Sequence, residues 1–270
     1  MGMDRRDFIK LAGLSTLLGL GGNAAWELLR PGQVAAALEA NPEALTAKRW
    51  AMVVDMRQLD EQTAQKCRAA CHQVHNVPDF DNPIDPAMKI SDAQKVRWEI
   101  KWIWTVPYDN AFPGDEQEYM DEKVKDLKFL LLCNHCDNPP CVRVCPTKAT
   151  FRREDGIVMM DMHRCIGCRF CMAACPFSAR SFNWKDPRPY IKKEFPDYPT
   201  REIGVVEKCT FCNERLAKGL MPACVLASQG ALAFGDLSDP KSKVRELLGS
   251  TFTIRRKPFL GTNPQVYYIV

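Results

Sequence analysis

Cys165-Ile-Gly-Cys168-Arg-Phe-Cys171-Met-Ala-Ala-Cys175-Pro176 decides the reading of this chain. Three thiolates at two-residue intervals, then a fourth three residues on and followed by proline, have the spacing that holds a [4Fe–4S] cube. In that spacing the fourth cysteine reaches across to a neighbouring cube. Thiolate suits the task because it is soft, charged and electron-rich. The proline removes a backbone N–H and turns the chain away. A second run, Cys133-x2-Cys136-x4-Cys141-x3-Cys145-Pro146, repeats the theme. A third, Cys209-x2-Cys212-x11-Cys224-x3, ends in Ser228 where a fourth cysteine is expected. The pair Cys67-x3-Cys71 has the spacing of the last two positions of such a run, with Glu61 and Ala64 in the first two. Four motifs are present and two are damaged.

The crossing rule says what the damage means. Paired as in two-cluster ferredoxins, Cys133, Cys136 and Cys141 share a site with Cys175, and Cys165, Cys168 and Cys171 share one with Cys145. The outer motifs then pair with each other, so Cys209, Cys212 and Cys224 take Cys71. These three sets use twelve of the thirteen cysteines and leave Cys67 over. The fourth site reduces to Glu61, Ala64, Cys67 and Ser228. Ala64 has no donor atom and one thiolate remains, so that site is expected to be vacated. The expectation is three [4Fe–4S] clusters.

The chain resembles the four-cluster iron–sulfur subunits of the dimethyl-sulfoxide, nitrate and polysulfide reductase family. The likeness runs from about Met52 to the C-terminus. It is carried by Cys133-Asn-His-Cys-Asp-Asn-Pro-Pro-Cys141, Arg153-Glu-Asp-Gly-Ile157, the run from Cys165 to Cys171, Gly204-Val-Val-Glu-Lys-Cys-Thr-Phe-Cys212, Phe234-Gly-Asp-Leu237 and Gly261-Thr-Asn-Pro-Gln-Val-Tyr-Tyr268. Within that family it is most similar to the iron–sulfur subunit of the dissimilatory sulfite-reductase-associated (Dsr) menaquinol complex. The resemblance implies a polytopic, quinone-binding membrane neighbour of the NrfD-like kind and, in the Dsr-type complex, a multihaem cytochrome c. It also implies that the vacated site lies at the end of the wire away from the membrane subunit. The alternative attaches the same wire to a molybdopterin oxidoreductase or a hydrogenase.

The N-terminus reads Met3-Asp-Arg5-Arg6-Asp-Phe8-Ile9-Lys10, followed by a mostly apolar stretch over residues 11–26. Paired arginines, a Phe two residues on and an apolar run form a twin-arginine leader. That run falls short of the about 20 residues a spanning helix needs. The expected location is the periplasmic face of the cytoplasmic membrane. Export of a folded protein fits the chemistry, since cubes are built in a reducing compartment and a dozen free thiols sent out unfolded risk scrambled disulfides. The net charge of +4 and the absence of an interleaved basic and aromatic patch give no case for nucleic acid.

The expected fold is α+β, with two ferredoxin-like units, one nested in the other. Residues 1–37 form the leader and linker, 48–128 with 200–270 the outer unit, and 129–199 the inserted inner unit. Strands are expected at Ala51–Arg57, over Gly156–Asp161 and at Val266–Val270. Alternation of Trp98, Ile100, Trp102, Trp104 and Val106 predicts a half-buried strand over 98–106. Helices are expected over Cys67–Val77, over Glu118–Leu132 and after Asp239-Pro240, with residues 78–95 as a loop. Ile166, Phe170, Met172, Val142 and Val144 are expected to shield the clusters.

Zinc is the non-redox rival, but zinc ribbons use two separated cysteine pairs rather than this spacing. Cys67-Arg-Ala-Ala-Cys71-His72 is one residue longer than the c-type haem attachment motif, and the ferredoxin run accounts for the same residues. His135 is a candidate hydrogen-bond partner near a cluster; His75 and His163 read as structural or solvated. No phosphate loop, dinucleotide fingerprint, HExxH or G-x-S-x-G occurs, so no catalytic residue is assigned.

Overall fold

Trp50–Asp55 forms strand β1, and every residue of it is buried. The strand is covered on both faces, which is why it reads as an apolar run rather than an alternation. The computed structural model describes residues 41–114 and 119–270, of which residues 45–270 form one unit. β1 lies inside a four-stranded sheet of order β8-β1-β10-β9, with β8 at Leu232–Asp236, β9 at Thr253–Ile254 and β10 at Val266–Ile269. β1 runs antiparallel to β8 and parallel to β10, with Met52 opposite Val266. This sheet ties residues near the first cysteine pair to those near the last run.

Three two-stranded antiparallel ladders complete the strands among the described residues. β2 (Ile103–Pro107) pairs with β3 (Lys128–Leu132), β4 (Thr150–Arg152) with β5 (Val158–Met160), and β6 (Ser181–Phe182) with β7 (Val206–Glu207). Among the described residues the helices are α1 (Glu61–Val74), α2 (Asp92–Trp98), α3 (Tyr108–Ala111), α4 (Glu122–Asp126), α5 (Pro140–Arg143), α6 (Phe170–Ala173), α7 (Asn213–Leu216), α8 (Ala223–Ala227) and α9 (Lys243–Ser250). The result is a mixed helix and strand fold with small sheets, compatible with ferredoxin-type domains. β4–β5 lies inside 129–199, whereas β6–β7 pairs across the boundary drawn near residue 200.

Three local expectations are corrected. The strand expected over 98–106 begins only at Ile103, because Ser91 and Gln94 form a reciprocal capping box that starts α2 and carries it through Trp98. Ile103 and Trp104 are both buried, so the alternation does not describe this segment. The helix expected over Glu118–Leu132 is five residues of α4 followed by strand β3. Phe129 to Leu132 are buried against β2, and a short apolar run does not distinguish helix from strand until its partner is known. Helix α1 starts at Glu61, six residues before the expected Cys67. Asp60 caps it, accepting from the Thr63 N–H at 2.6 Å.

Candidate metal centres

Cys133, Cys136, Cys141 and Cys175 line one cavity with Pro139, Pro140, Pro176 and Arg180. Pro140 opens α5, where the missing N–H costs nothing, and so delivers Cys141 at the start of the helix. Burial pushes the Cys136 thiol up, and Cys133, Cys175 and Cys141 push it further. A second cavity is lined by Cys145, Cys165, Cys168 and Cys171. Its loop depends on Gly167, whose φ is +69° and whose added Cβ would stand 2.5 Å from the Gly204 carbonyl oxygen. Burial pushes the Cys145 thiol up, but hydrogen bonds from the chain at Thr150, Thr147 and Ala149 outweigh it and the net shift is down. The Thr150 N–H points at Cys145 Sγ from 3.4 Å.

Cys71, Cys209, Cys212 and Cys224 form the third group. Burial drives the Cys71 thiol far up, and Cys212, Cys224 and Cys209 raise it further. Burial pushes Cys209 up to about 12, and its strongest thiolate neighbour is Cys133 of the first group. Cys141 of the first group likewise bears on Cys171 of the second. The three groups therefore form a chain, with the Cys133 group in the middle. Beside the third group, His75 Nδ1 lies 2.8 Å from the Cys71 carbonyl oxygen and 3.6 Å from Cys71 Sγ, while Nε2 lies 3.0 Å from Glu214 Oε1. His75 is buried and stacks on Trp102 with ring centres 4.3 Å apart.

The donor sets fit [4Fe–4S] groups. All thirteen cysteines are free. The Asn134 amide Nδ2, the Thr210 and Thr262 hydroxyls and Arg180 Nη2 are buried without an oxygen or nitrogen partner in the protein. Orphaned buried donors are costly. Here they follow Cys133 and Cys209, or face Cys136 and Cys141, where a sulfide-bridged cube offers acceptors.

Glu61, Ala64, Cys67 and Ser228 are not drawn together in this way. Glu61 is exposed and pairs with Lys128 at 2.9 Å. Ala64 and Cys67 sit on the buried face of α1, which packs along α8. Six residues of helix spread the first three positions over about 9 Å. The Cys67 thiol donates to the Cys224 carbonyl at 3.3 Å, and burial pushes it up to about 11. Ser228 closes α8, donating to the Val225 carbonyl at 2.7 Å and accepting from the Leu232 N–H at 3.1 Å. Arg5, Arg6 and Phe8 lie outside the described residues. No helix among the described residues is long and apolar enough to cross a membrane.

The shielding expectation is corrected in part. Val142 and Met172 pack against the small core of the second group, and Ile166 lines its cavity though 67% exposed, but Phe170, at 62% exposure, and Val144 are exposed. Cys168 is itself exposed. Four residues had drawn no role or only a bland one from the sequence: His75, Arg180, Glu207 and Lys208. Glu207 and Lys208 stand immediately before Cys209, and a buried charge there was signalled only by its adjacency to the motif.

Convergent cysteine quartets on short ladders define a ferredoxin-type iron–sulfur protein. The 4Fe-4S dicluster domain family matches residues 126–237. The chain is 37% identical over 291 residues to the Hdr-like menaquinol oxidoreductase iron-sulfur subunit 1 of Archaeoglobus fulgidus, covering 98% of this chain and 97% of the relative. It is 34% identical over 248 residues to the menaquinone reductase iron-sulfur cluster-binding subunit of Nitratidesulfovibrio vulgaris, covering 82% and 88%. It is 49% identical over 207 residues to an iron-sulfur protein of Halobacterium salinarum named for dimethyl sulfoxide reductase, covering 76% and 73%. The chain belongs to this family of [4Fe–4S] electron-transfer subunits of oxidoreductase complexes.

Proposed function

We propose that this protein is the periplasmic electron-transfer subunit of a membrane-bound, quinone-linked respiratory complex of the Dsr type, acting in sulfite and sulfur metabolism. It carries three [4Fe–4S] clusters, held by Cys133, Cys136, Cys141 and Cys175, by Cys165, Cys168, Cys171 and Cys145, and by Cys209, Cys212, Cys224 and Cys71. The chemistry supplied by a bound cube is one-electron exchange, with no substrate bond made or broken. The protein's part is to fix the spacing of the groups, bury them and set their surroundings. A polytopic quinone-binding subunit is the membrane neighbour, and a multihaem cytochrome c is a further partner. The quinone link is supported by two relatives, each matched over most of its length, that are named for menaquinol or menaquinone. The observation that carries the count is the contrast between three convergent thiol groups and a fourth position occupied by a packed helix.

Iron and sulfide analysis of anaerobically purified protein is expected to give about 12 irons per chain at four per cube. About 16 irons, or stoichiometric zinc, would end this reading. Co-purification from gently solubilised membranes is expected to bring down a polytopic subunit. Export is tested separately. Changing Arg5 and Arg6 to lysine is expected to strand the protein in the cytoplasm with its clusters assembled. Unchanged periplasmic accumulation in fractionated cells would mean that another route or a bound partner carries the signal.

A further inference from the structure

Two buried cations stand in the two gaps between the cysteine groups. Arg180 is buried and lines the cavity of the Cys133 group. Its Nη1 donates to Thr150 Oγ1 at 3.1 Å, which leaves Nη2 buried without an oxygen or nitrogen partner. Nη1 also lies 3.9 Å from Met160 Sδ, and Thr150 and Met160 both line the cavity of the Cys165 group. The thiolates that bear most on the guanidinium are Cys141 of the first group and Cys171 of the second. Lys208 is fully buried. Its Nζ donates to the Cys209 carbonyl at 2.7 Å and to the Val158 carbonyl. Burial lowers its pKa, and the thiolates that work against this and favour the charged form are Cys133 and Cys141 of the first group and Cys209 of the third. Among the described residues, neither cation pairs with a carboxylate.

An unpaired charge in a protein interior is expensive and is kept only where something compensates it. A cube with four thiolates carries net negative charge in both of its redox states, and gains one more unit on reduction. A fixed positive charge beside it therefore stabilises the reduced form more than the oxidised form, and does so strongly where water is excluded. Net charge and hydrogen bonds to sulfur are among the levers that set cluster potentials.

We propose that Arg180 and Lys208 are positioning residues for electron transfer, each raising the potentials of the two centres it stands between. Arg180 acts on the Cys133 and Cys165 centres, Lys208 on the Cys133 and Cys209 centres. The middle centre feels both cations and each end centre only one. The same charges offset the repulsion between neighbouring centres when both are reduced, so an electron can enter one end before the other has left. The guanidinium is suited to the Arg180 position because its planar fork donates to Thr150 through Nη1, keeps Nη2 without an oxygen or nitrogen partner, and does not lose its proton.

This inference rests on the cluster assignment above, and the experiment separates the two. Redox titration of the full-length, iron-loaded protein, followed by electron paramagnetic resonance, reads each centre, with signals assigned through Cys168→Ser and Cys71→Ser. Arg180→Gln is expected to lower the potentials of the Cys133 and Cys165 centres and leave the Cys209 centre where it was. Lys208→Gln is expected to lower the Cys133 and Cys209 centres and spare the Cys165 centre. Static potentials, an upward shift or an equal shift of all three centres overturns the inference and leaves the cluster assignment standing. Should the glutamine variants not retain iron, Arg180→Lys and Lys208→Arg decide. Both keep the charge, so retained iron with the order of the potentials kept supports the inference. Loss of iron in these too assigns the pair to shape and overturns it. Wild-type protein without iron sinks both readings.

Discussion

Changing Cys71 to serine is expected to cost the protein a whole cube, taking iron from about 12 to about 8 per chain, whereas Cys67→Ser leaves the count at about 12. The two cysteines are one helical turn apart on the same buried face of α1. Their surroundings differ. Cys71 feels three other thiolates, Cys212, Cys224 and Cys209, and has His75 Nδ1 3.6 Å from its sulfur. Cys67 is held by the carbonyl of Cys224, and its thiol is pushed up by burial alone. Cys71→Ser should also loosen the contact between α1 and α8, since metal binding at a site shared by distant segments is coupled to folding. Cys67→Ser keeps a donor to the Cys224 carbonyl and should leave every paramagnetic signal in place. The opposite result, with Cys67→Ser losing a cluster and Cys71→Ser keeping all three, means that the crossed pairing is wrong and the outer motifs must be reassigned.

The cysteine spacing made the class of protein legible, because cluster ligation constrains sequence at single-residue resolution and hardly depends on the rest of the fold. The strands at Trp50–Asp55 and Val266–Ile269 were legible as apolar runs, though their parallel pairing was not, since nothing local encodes a partner more than 200 residues away. The segment over 98–106 misled because a row of tryptophans at period two outweighed the Ser91–Gln94 cap, which is a weaker pattern in sequence but a direct backbone constraint in the structure. At Glu61 and Ala64 the absence of thiolate donors was plain in the sequence. That the same residues continue as α1 was not. The segment follows what Asp60 as a cap and Glu61, Ala64 and Lys66 as helix formers dictate. Ser228 likewise reads as a failed ligand, yet it has two good hydrogen bonds as the cap of α8. Arg180, Lys208 and Glu207 were illegible for a different reason. A charged residue in a sequence is presumed solvated, and only the fold shows that these three are not.

Glu207 supports the second large effect. Glu207→Ala is expected to destabilise the protein by about 3–5 kcal/mol, the cost of leaving a buried charge without its partner. Arg201 and Glu207 are both fully buried and their charged atoms lie 2.7 Å apart. Glu207 also accepts from Trp102 Nε1 at 2.8 Å and from the Asn183 amide. Through Nη1 and Nη2 Arg201 also donates to the carbonyls of His75 and Asn76, at the end of α1, and to that of Pro199. The pair thus clamps the chain that leads into Cys209 against the end of the helix that carries Cys71. Those two cysteines lie 138 positions apart in sequence and belong to the same group of four. Removing the carboxylate should therefore weaken the third centre before the other two. Denaturation of the iron-loaded protein measures the first effect. Iron content and paramagnetic signals after mild heating measure the second, with the Cys209 centre lost first. Equal loss from all three centres would show that the pair stabilises the fold at large and has no special hold on the site that joins its two ends.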